Sequence, residues 1–251
     1  MTTAIGSIED LADRLVAGHD GGELIGSVPA ELVPTDPAGV ARLQDLVITR
    51  LGAVGGWKVL AGGEGTPVCA PIPQSRYFED GASLDATRHR LVIAEEEVAV
   101  KLARDVPASS NRAAVEAAIG SVHLALEMVG SPFVDRDTID RNVQLGDLQS
   151  NGAVIVGERF DPSRLDGLAN LKVELRYDGE TSGSTDTGAD WHAILDAVAW
   201  LAGHASDRGM PLVAGQVIIT GARVAQPLGT ARLVEGTAGE VSVRATMQHR
   251  P

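Results

Sequence analysis

Apolar positions at helical spacing open the chain. Ile8, Leu11, Leu15 and Val16 share one face behind Ser7-Ile8-Glu9-Asp10, which resembles a capping box, so a helix is expected to begin there. Glycines and prolines between Gly21 and Pro37 mark a connector. Asp36-Pro37 then supplies an N-cap and first turn for a second amphipathic helix through Val40, Leu43, Val47 and Leu51, with Gly55-Gly56 as its expected stop. Trp57-Lys58-Val59-Leu60 reads as a strand, and residues 61–90 read as loop because of their glycines and prolines. A β pattern runs from Ile93 to Leu102, an Ala-rich helix from Asn111 to His123, and a strand from Ala153 to Glu158 after a turn at Asn151-Gly152. Leu171 to Tyr177 alternates cleanly into Asp178-Gly179, a strong hairpin signal. A long amphipathic helix from Asp190 to Asp207 ends at Gly209 and precedes strands at Val217–Thr220, Arg232–Glu235 and Glu240–Thr246.

Helices that come early and in the middle, with strands clustered late, predict an α+β fold and not an alternating βαβ one. The simplest division is a helical N-terminal part over 1–55 followed by a β-rich domain over 56–251. Composition narrows the class further. With 251 residues and 44% hydrophobic content the chain can bury a real core, which excludes disorder as its main state. A net charge of −13 argues against nucleic acid or an anionic membrane as partner. The single cysteine, Cys69, cannot form an internal disulfide, no apolar run reaches membrane-helix length, and no secretory signal is legible, so a cytoplasmic protein is expected.

Phosphate-loop, dinucleotide, nucleophile-elbow and paired-cysteine signatures are all absent. The sharpest chemical feature is Ala94-Glu95-Glu96-Glu97-Val98. In a strand Glu95 and Glu97 point one way, while Glu96 points with Val98, Val100 and Leu102. Adjacent carboxylates on one face repel, and a hard divalent cation would relieve them; a solvated strand face is the alternative. Glu127 interrupts the apolar stretch Leu124–Gly130, either as a ligand-type acid or as a helix-end glutamate at the surface. His123 lies four residues before it, a weak pairing signal. Lys58 is one of three lysines in an arginine-preferring chain. It is either a strand lysine reaching solvent or a group that meets an anionic substrate and moves protons after burial lowers its pKa.

Taken jointly, these pieces resemble the fumarylacetoacetate hydrolase superfamily, in its 2-keto-4-pentenoate hydratase and 4-oxalocrotonate decarboxylase branch. The resemblance rests on Gly56-Trp57-Lys58-Val59, on Glu95-Glu96-Glu97-Val98-Ala99 with Arg104-Asp105-Val106-Pro107, on Ala125–Ser131, on Ala199-Trp200-Leu201-Ala202, and on Leu212 with Ala214–Ala222. It implies a mixed β-roll flanked by helices, a homo-oligomer, and one Mg²⁺ or Mn²⁺ held by Glu95, Glu97 and Glu127. It further implies Lys58 as the proton-transfer residue and Ser150 and Thr220 as substrate contacts. The implied substrates are small 2-oxo or 2-hydroxydienoic acids of aromatic-compound degradation. Hydration is the leading reaction, with 4-oxalocrotonate-type decarboxylation, acylpyruvate C–C hydrolysis or a non-catalytic relative as alternatives.

The chain departs from the family pattern in three places. Val68 stands near an acidic position of hydratases, with Ala70 where glycine is usual; His192-Ala193-Ile194 replaces Gly-His-Pro; and Asp147-Leu148-Gln149-Ser150 replaces Asp-Asn-Ala-Ser.

Overall fold

Helices form where their caps lie. In the computed structural model, which describes residues 5–249, helix α1 (Ile8–His19) starts at Ser7, whose hydroxyl accepts the Asp10 N–H. Helix α2 (Pro37–Leu51) starts at Asp36, whose carboxylate accepts the Gly39 N–H. It stops at Gly52, before the Gly55-Gly56 pair, which instead lies inside strand β1 (Val54–Val59). Close packing is the reason: a Cβ on Gly56 would stand 1.8 Å from the Val217 carbonyl oxygen and 2.4 Å from the Tyr77 hydroxyl.

The segment expected to be loop contains three short strands, β2 (Cys69–Pro73), β3 (Tyr77–Glu79) and β4 (Ala82–Asp85). Each sits at the edge of a sheet, where Pro71 and Pro73 of β2 are tolerated because an edge strand can lack ladder donors. Strand β5 (Leu91–Leu102) forms as expected. The Ala-rich helix, α3 (Arg112–Ala118), ends five residues early, since the chain from Ile119 is drawn into a long strand, β6 (Ile119–Gly130), against β5. After helix α4 (Arg141–Gly146), the expected turn at Asn151-Gly152 lies instead at 148–150, and Asn151 already begins strand β7 (Asn151–Arg159). The Asp178-Gly179 turn joins β8 (Val173–Tyr177) to β9 (Glu180–Thr185) with both central residues at positive φ, as a tight hairpin requires. Helix α5 (Trp191–Asp207) and strands β10 (Val217–Pro227), β11 (Leu233–Ala238) and β12 (Val241–Gln248) complete the described chain.

Two mixed sheets result, seven strands in the order β2-β1-β10-β5-β6-β7-β3 and five in the order β4-β12-β11-β8-β9. They share with α5 a core that includes Trp57, Leu124, Leu126, Leu201 and Val243. The fold is thus α+β, mixed sheets flanked by helices. A second cluster joins α1, α2 and α4 through Leu11, Leu15, Leu43, Val47 and Val143, with Ala70 and Leu148 contributed from the body. Arg208 ties α5 to α2 by hydrogen bonds to Asp45 and Gln44, and its guanidinium lies 5.3 Å from the centre of the Trp57 ring system. No helix among the described residues is long and apolar enough to cross a membrane.

Alternation along β5 sends Glu96 into the main core, with Val98, Val100 and Leu102 on the same face. Its side chain is wholly buried and neither carboxylate oxygen has a hydrogen-bond partner. Burial pushes its pKa up to about 8, although the Arg223 charge pulls the other way. The folded chain therefore keeps a proton that the unfolded chain releases near 4.5. Stability from this group is full below that value and is lost as pH rises toward about 8. In metal-free protein, Glu96→Met should stabilise the fold by ~1–3 kcal/mol at pH 8 and by less at pH 5, as read by urea unfolding. A neutral or destabilising result at pH 8 would contradict this account.

Candidate metal centre

The register between β5 and β6 builds the site. Glu95 pairs directly with Glu127, and Glu97 pairs with Ala125, so all three carboxylates lie on one face of the central sheet. Carboxylate oxygens of Glu95, Glu97 and Glu127 lie within 4.8 Å of one another, the separation expected around one cation with metal–oxygen distances of about 2.1–2.6 Å. Glu97 and Glu127 are buried, so the solvated strand face is not the arrangement the chain adopts, and Glu127 sits mid-strand, not at a helix end.

Three other strands supply donors to Glu127 and Glu97. Lys58, on β1, donates from Nζ to both oxygens of Glu127 at 2.6 Å, and Asn151 Nδ2 donates to Glu127 Oε1 at 2.8 Å. Gly221 donates its N–H to Glu97 Oε2 at 2.7 Å. That last bond needs the irregularity of β10 between Ile219 and Ala222, where Gly221 adopts φ 107°, a conformation that side chains disfavour. Trp57 and Lys58 point to opposite faces of β1, which puts the indole in the core and the ammonium at the carboxylates.

One ammonium does not balance three carboxylates, two of them buried. Burial, then the charge of Glu127, raises the Glu95 pKa to about 7 against the pull of Lys58. Burial, with Glu127 and Glu95, holds Glu97 well above the carboxylate range. Burial works to lower the Lys58 pKa, but Glu127, Glu95 and Glu97 outweigh it and raise the value. The lowered lysine expected from burial is therefore corrected by the three anions beside it. A divalent cation fits this donor set: hard oxygen ligands, clustered, with uncompensated negative charge.

A cavity of about 300 Å³ opens over the cluster, at the low end for small-molecule sites. Lys58, Glu95 and Glu97 line it, with Val59, Leu60, Val68, Leu145 and Ala222 as apolar walls. Gln149 and Ser150 reach it from the turn before β7, where Leu148, Gln149 and Ser150 all have positive φ. Three successive non-glycine residues in that region cost energy, so tertiary contacts must hold them. Asp147, at the start of the turn, is fixed by His19 Nε2 at 3.0 and 2.9 Å from its two oxygens, and Arg76 donates to the Asn151 carbonyl just after it. The Ser150 hydroxyl and the Gln149 amide nitrogen are buried without partners, so both are free for a bound molecule. Thr220 stands apart from Ser150: its hydroxyl donates to the Val98 carbonyl at 2.8 Å, and it borders a neighbouring cavity with Gly221 and Arg223. His123 hydrogen-bonds Gly157 and Ser121 and does not join the cluster. Val68 faces the cavity, and three acids of the segment 61–90, Glu64, Glu79 and Asp80, do not line it.

Sequence reasoning missed Asn151, Gly221, Gln149, Arg136 and Arg141 at the site. The turn signal at Asn151-Gly152 was the nearest clue, and it was displaced by the left-handed turn upstream.

Residues 61–249 match the fumarylacetoacetate (FAA) hydrolase C-terminal family. A 2-hydroxyhexa-2,4-dienoate hydratase from Comamonas testosteroni is 31% identical over 159 residues, which cover 60% of this chain and 58% of the relative's length. A 4-oxalocrotonate decarboxylase from Pseudomonas putida G7, complexed with magnesium and adipate, superposes with a TM-score of 0.79 at 22% identity, over 96% of this chain and 97% of that one. A 2-hydroxyhepta-2,4-diene-1,7-dioate isomerase from Mycobacterium marinum superposes with a TM-score of 0.58 at 19% identity, over 79% of this chain and 75% of that one. At these identities the structural matches speak to the fold.

Raised carboxyl pKa values make cation binding a proton-releasing step. Mn²⁺ or Mg²⁺ affinity should rise with pH through about 7, and calorimetry in buffers of different ionisation enthalpy should show protons released. Glu127→Gln and Glu97→Ala should lose the site. Affinity independent of pH, or undiminished in both variants, would contradict the assignment.

Proposed function

Since the chain belongs to the fumarylacetoacetate hydrolase family, we propose that it is a divalent-metal-dependent lyase acting on small 2-oxo or 2-hydroxydienoic acids. The observation that carries this reading is the clustered triad of Glu95, Glu97 and Glu127 beside Lys58, under a cavity of small-molecule size. Magnesium in the P. putida decarboxylase complex supports a divalent ion in such a fold.

Glu95, Glu97 and Glu127 would hold the cation. When bound, it supplies Lewis acidity toward the 2-oxygen and carboxylate of the substrate. Lys58 handles the proton. Its ammonium is held at the edge of the triad, fixed by both oxygens of Glu127, where it can donate toward the carbon chain of the substrate. Compensation of the carboxylate charges would remove the influence that raises the Lys58 pKa and leave burial, which lowers it. Ser150 and Gln149 offer unpartnered groups that orient the substrate, and Val59, Leu60, Val68 and Leu145 exclude bulk water from its chain.

Hydration stands first, supported by the hydratase relative. Decarboxylation is the second reading, favoured by Val68. Water addition needs a group to position the nucleophile, and the cavity offers no acid there beyond the triad. Product analysis with 2-hydroxypenta-2,4-dienoate and 4-oxalocrotonate, each with and without Mg²⁺, decides between them. Mg²⁺-dependent loss of the dienoate supports hydration, and carbon dioxide from the second compound alone reverses the order. Lys58→Met should lower turnover ~10²–10⁴-fold while cation binding persists. Silence on both compounds would overturn the lyase reading.

A further inference from the structure

Segment 149–153 borders two cavities that share no lining residue. Gln149 and Ser150 line the one over the triad, and Gly152 and Ala153 line another of about 300 Å³. Apolar walls of this second cavity come from Val16 of α1, Leu51 of α2, Phe78 of β3, Leu84 of β4 and Leu91 of β5. Its cation is Arg76, which is only 9% exposed and makes one hydrogen bond, from Nη1 to the Asn151 carbonyl. Among the described residues its Nε and Nη2 have no partner, and no carboxylate pairs with it. Burial lowers the Arg76 pKa, while the charges of Asp147 and then Glu127 oppose this from a distance. Both of those acids are already engaged, Asp147 by His19 and Glu127 by Lys58. His19, His89 and Ser75 add polar groups to the lining, and its one acid, Asp20, is mostly exposed and paired with Arg88 at 2.7 Å.

An unpaired buried charge is costly, and the planar guanidinium fork matches a carboxylate in two parallel hydrogen bonds. Beside apolar walls, that points to an anion with an apolar body. We infer that this cavity is an effector site for a small monocarboxylic acid with a short aliphatic or aromatic body, held by Arg76, and that its occupancy is felt at the triad. Two links carry the coupling. Arg76 holds the Asn151 carbonyl, and Asn151 Nδ2 holds Glu127. His19 lines the second cavity and fixes Asp147, at the head of the turn that presents Gln149 and Ser150. Electrostatics gives the sign. Arg76 and Glu127 interact through their charges, so the guanidinium opposes a further cation at the triad. A carboxylate that neutralises Arg76 removes this opposition and tightens cation binding, and the cation tightens acid binding by the same factor. The acid site itself does not depend on the metal-dependent reading.

The test begins with calorimetry on the metal-free full chain, using hexanoate and benzoate against hexanamide and benzamide. At least one acid should bind ~10–100-fold more tightly than its own amide. Val16→Trp and, from an exposed position, Ser75→Trp fill the second cavity and should each abolish acid binding. Arg76→Lys keeps a charge without the fork and should lose most of the margin over the amide. Val68→Trp fills the cavity over the triad instead and should leave acid affinity within about threefold. No binding of either acid, equal binding of acid and amide, or binding that survives all three variants of the second cavity overturns the site. Mn²⁺ affinity at a saturating level of the acid should then rise ~5-fold or more, and the rise should vanish in Val16→Trp. No rise overturns the coupling, as does a rise that persists in Val16→Trp, which would come from acid at the metal. Mn²⁺ that fails to bind at all overturns the metal-dependent reading and leaves the acid titrations to judge the site.

Discussion

Pairing of β5 with β6 sets Glu95 directly opposite Glu127, with Glu97 two residues along on the same buried face. Like charges at opposed strand positions destabilise a sheet, and burial raises the cost. Much of the local structure reads as compensation for that one register. β1 brings Lys58, β7 brings Asn151, and an irregular β10 turns the Gly221 N–H onto Glu97. These contacts still leave net negative charge on the three carboxylates, which suits a cation there better than a simple buried ion pair would.

The same strand carries a second tension on its other face. Glu96 enters the core between the sheets with no partner for either oxygen, and it is accommodated there as a neutral acid. Consecutive glutamates thus meet opposite fates. Two are gathered with a third carboxylate where a cation can join them, and one is isolated where only a proton can.

Rigidity around the cavity comes from outside it. The left-handed run 148–150, which presents Gln149 and Ser150, is braced by His19 of the N-terminal helix on Asp147 and by Arg76 on the Asn151 backbone. Those braces link α1 to the chemistry, although α1 contributes no lining residue. The cavity itself divides by charge. Carboxylates and Lys58 occupy the sheet floor, while Arg136 comes from the 3₁₀ turn before α4 and Arg141 from the first residue of α4.

Much was legible in the residues alone. Caps at Ser7, Asp36 and Asp190, the Asp178-Gly179 hairpin and the late strands are local signals, and local hydrogen bonding enforces them wherever the chain goes. Alternation likewise separated Glu96 from Glu95 and Glu97 before any fold was known. Tertiary structure decided the rest. Ile119–His123 became strand because β5 offered a partner, Gly55-Gly56 joined β1 because Val217 and Tyr77 pack against it, and prolines entered β2 because it is an edge. The direction of the Lys58 pKa also could not be read from burial alone, since it depends on three carboxylates brought in from two other strands. Sequence periodicity says which way a side chain points along its own element; only the pairing of elements says which charges it meets there.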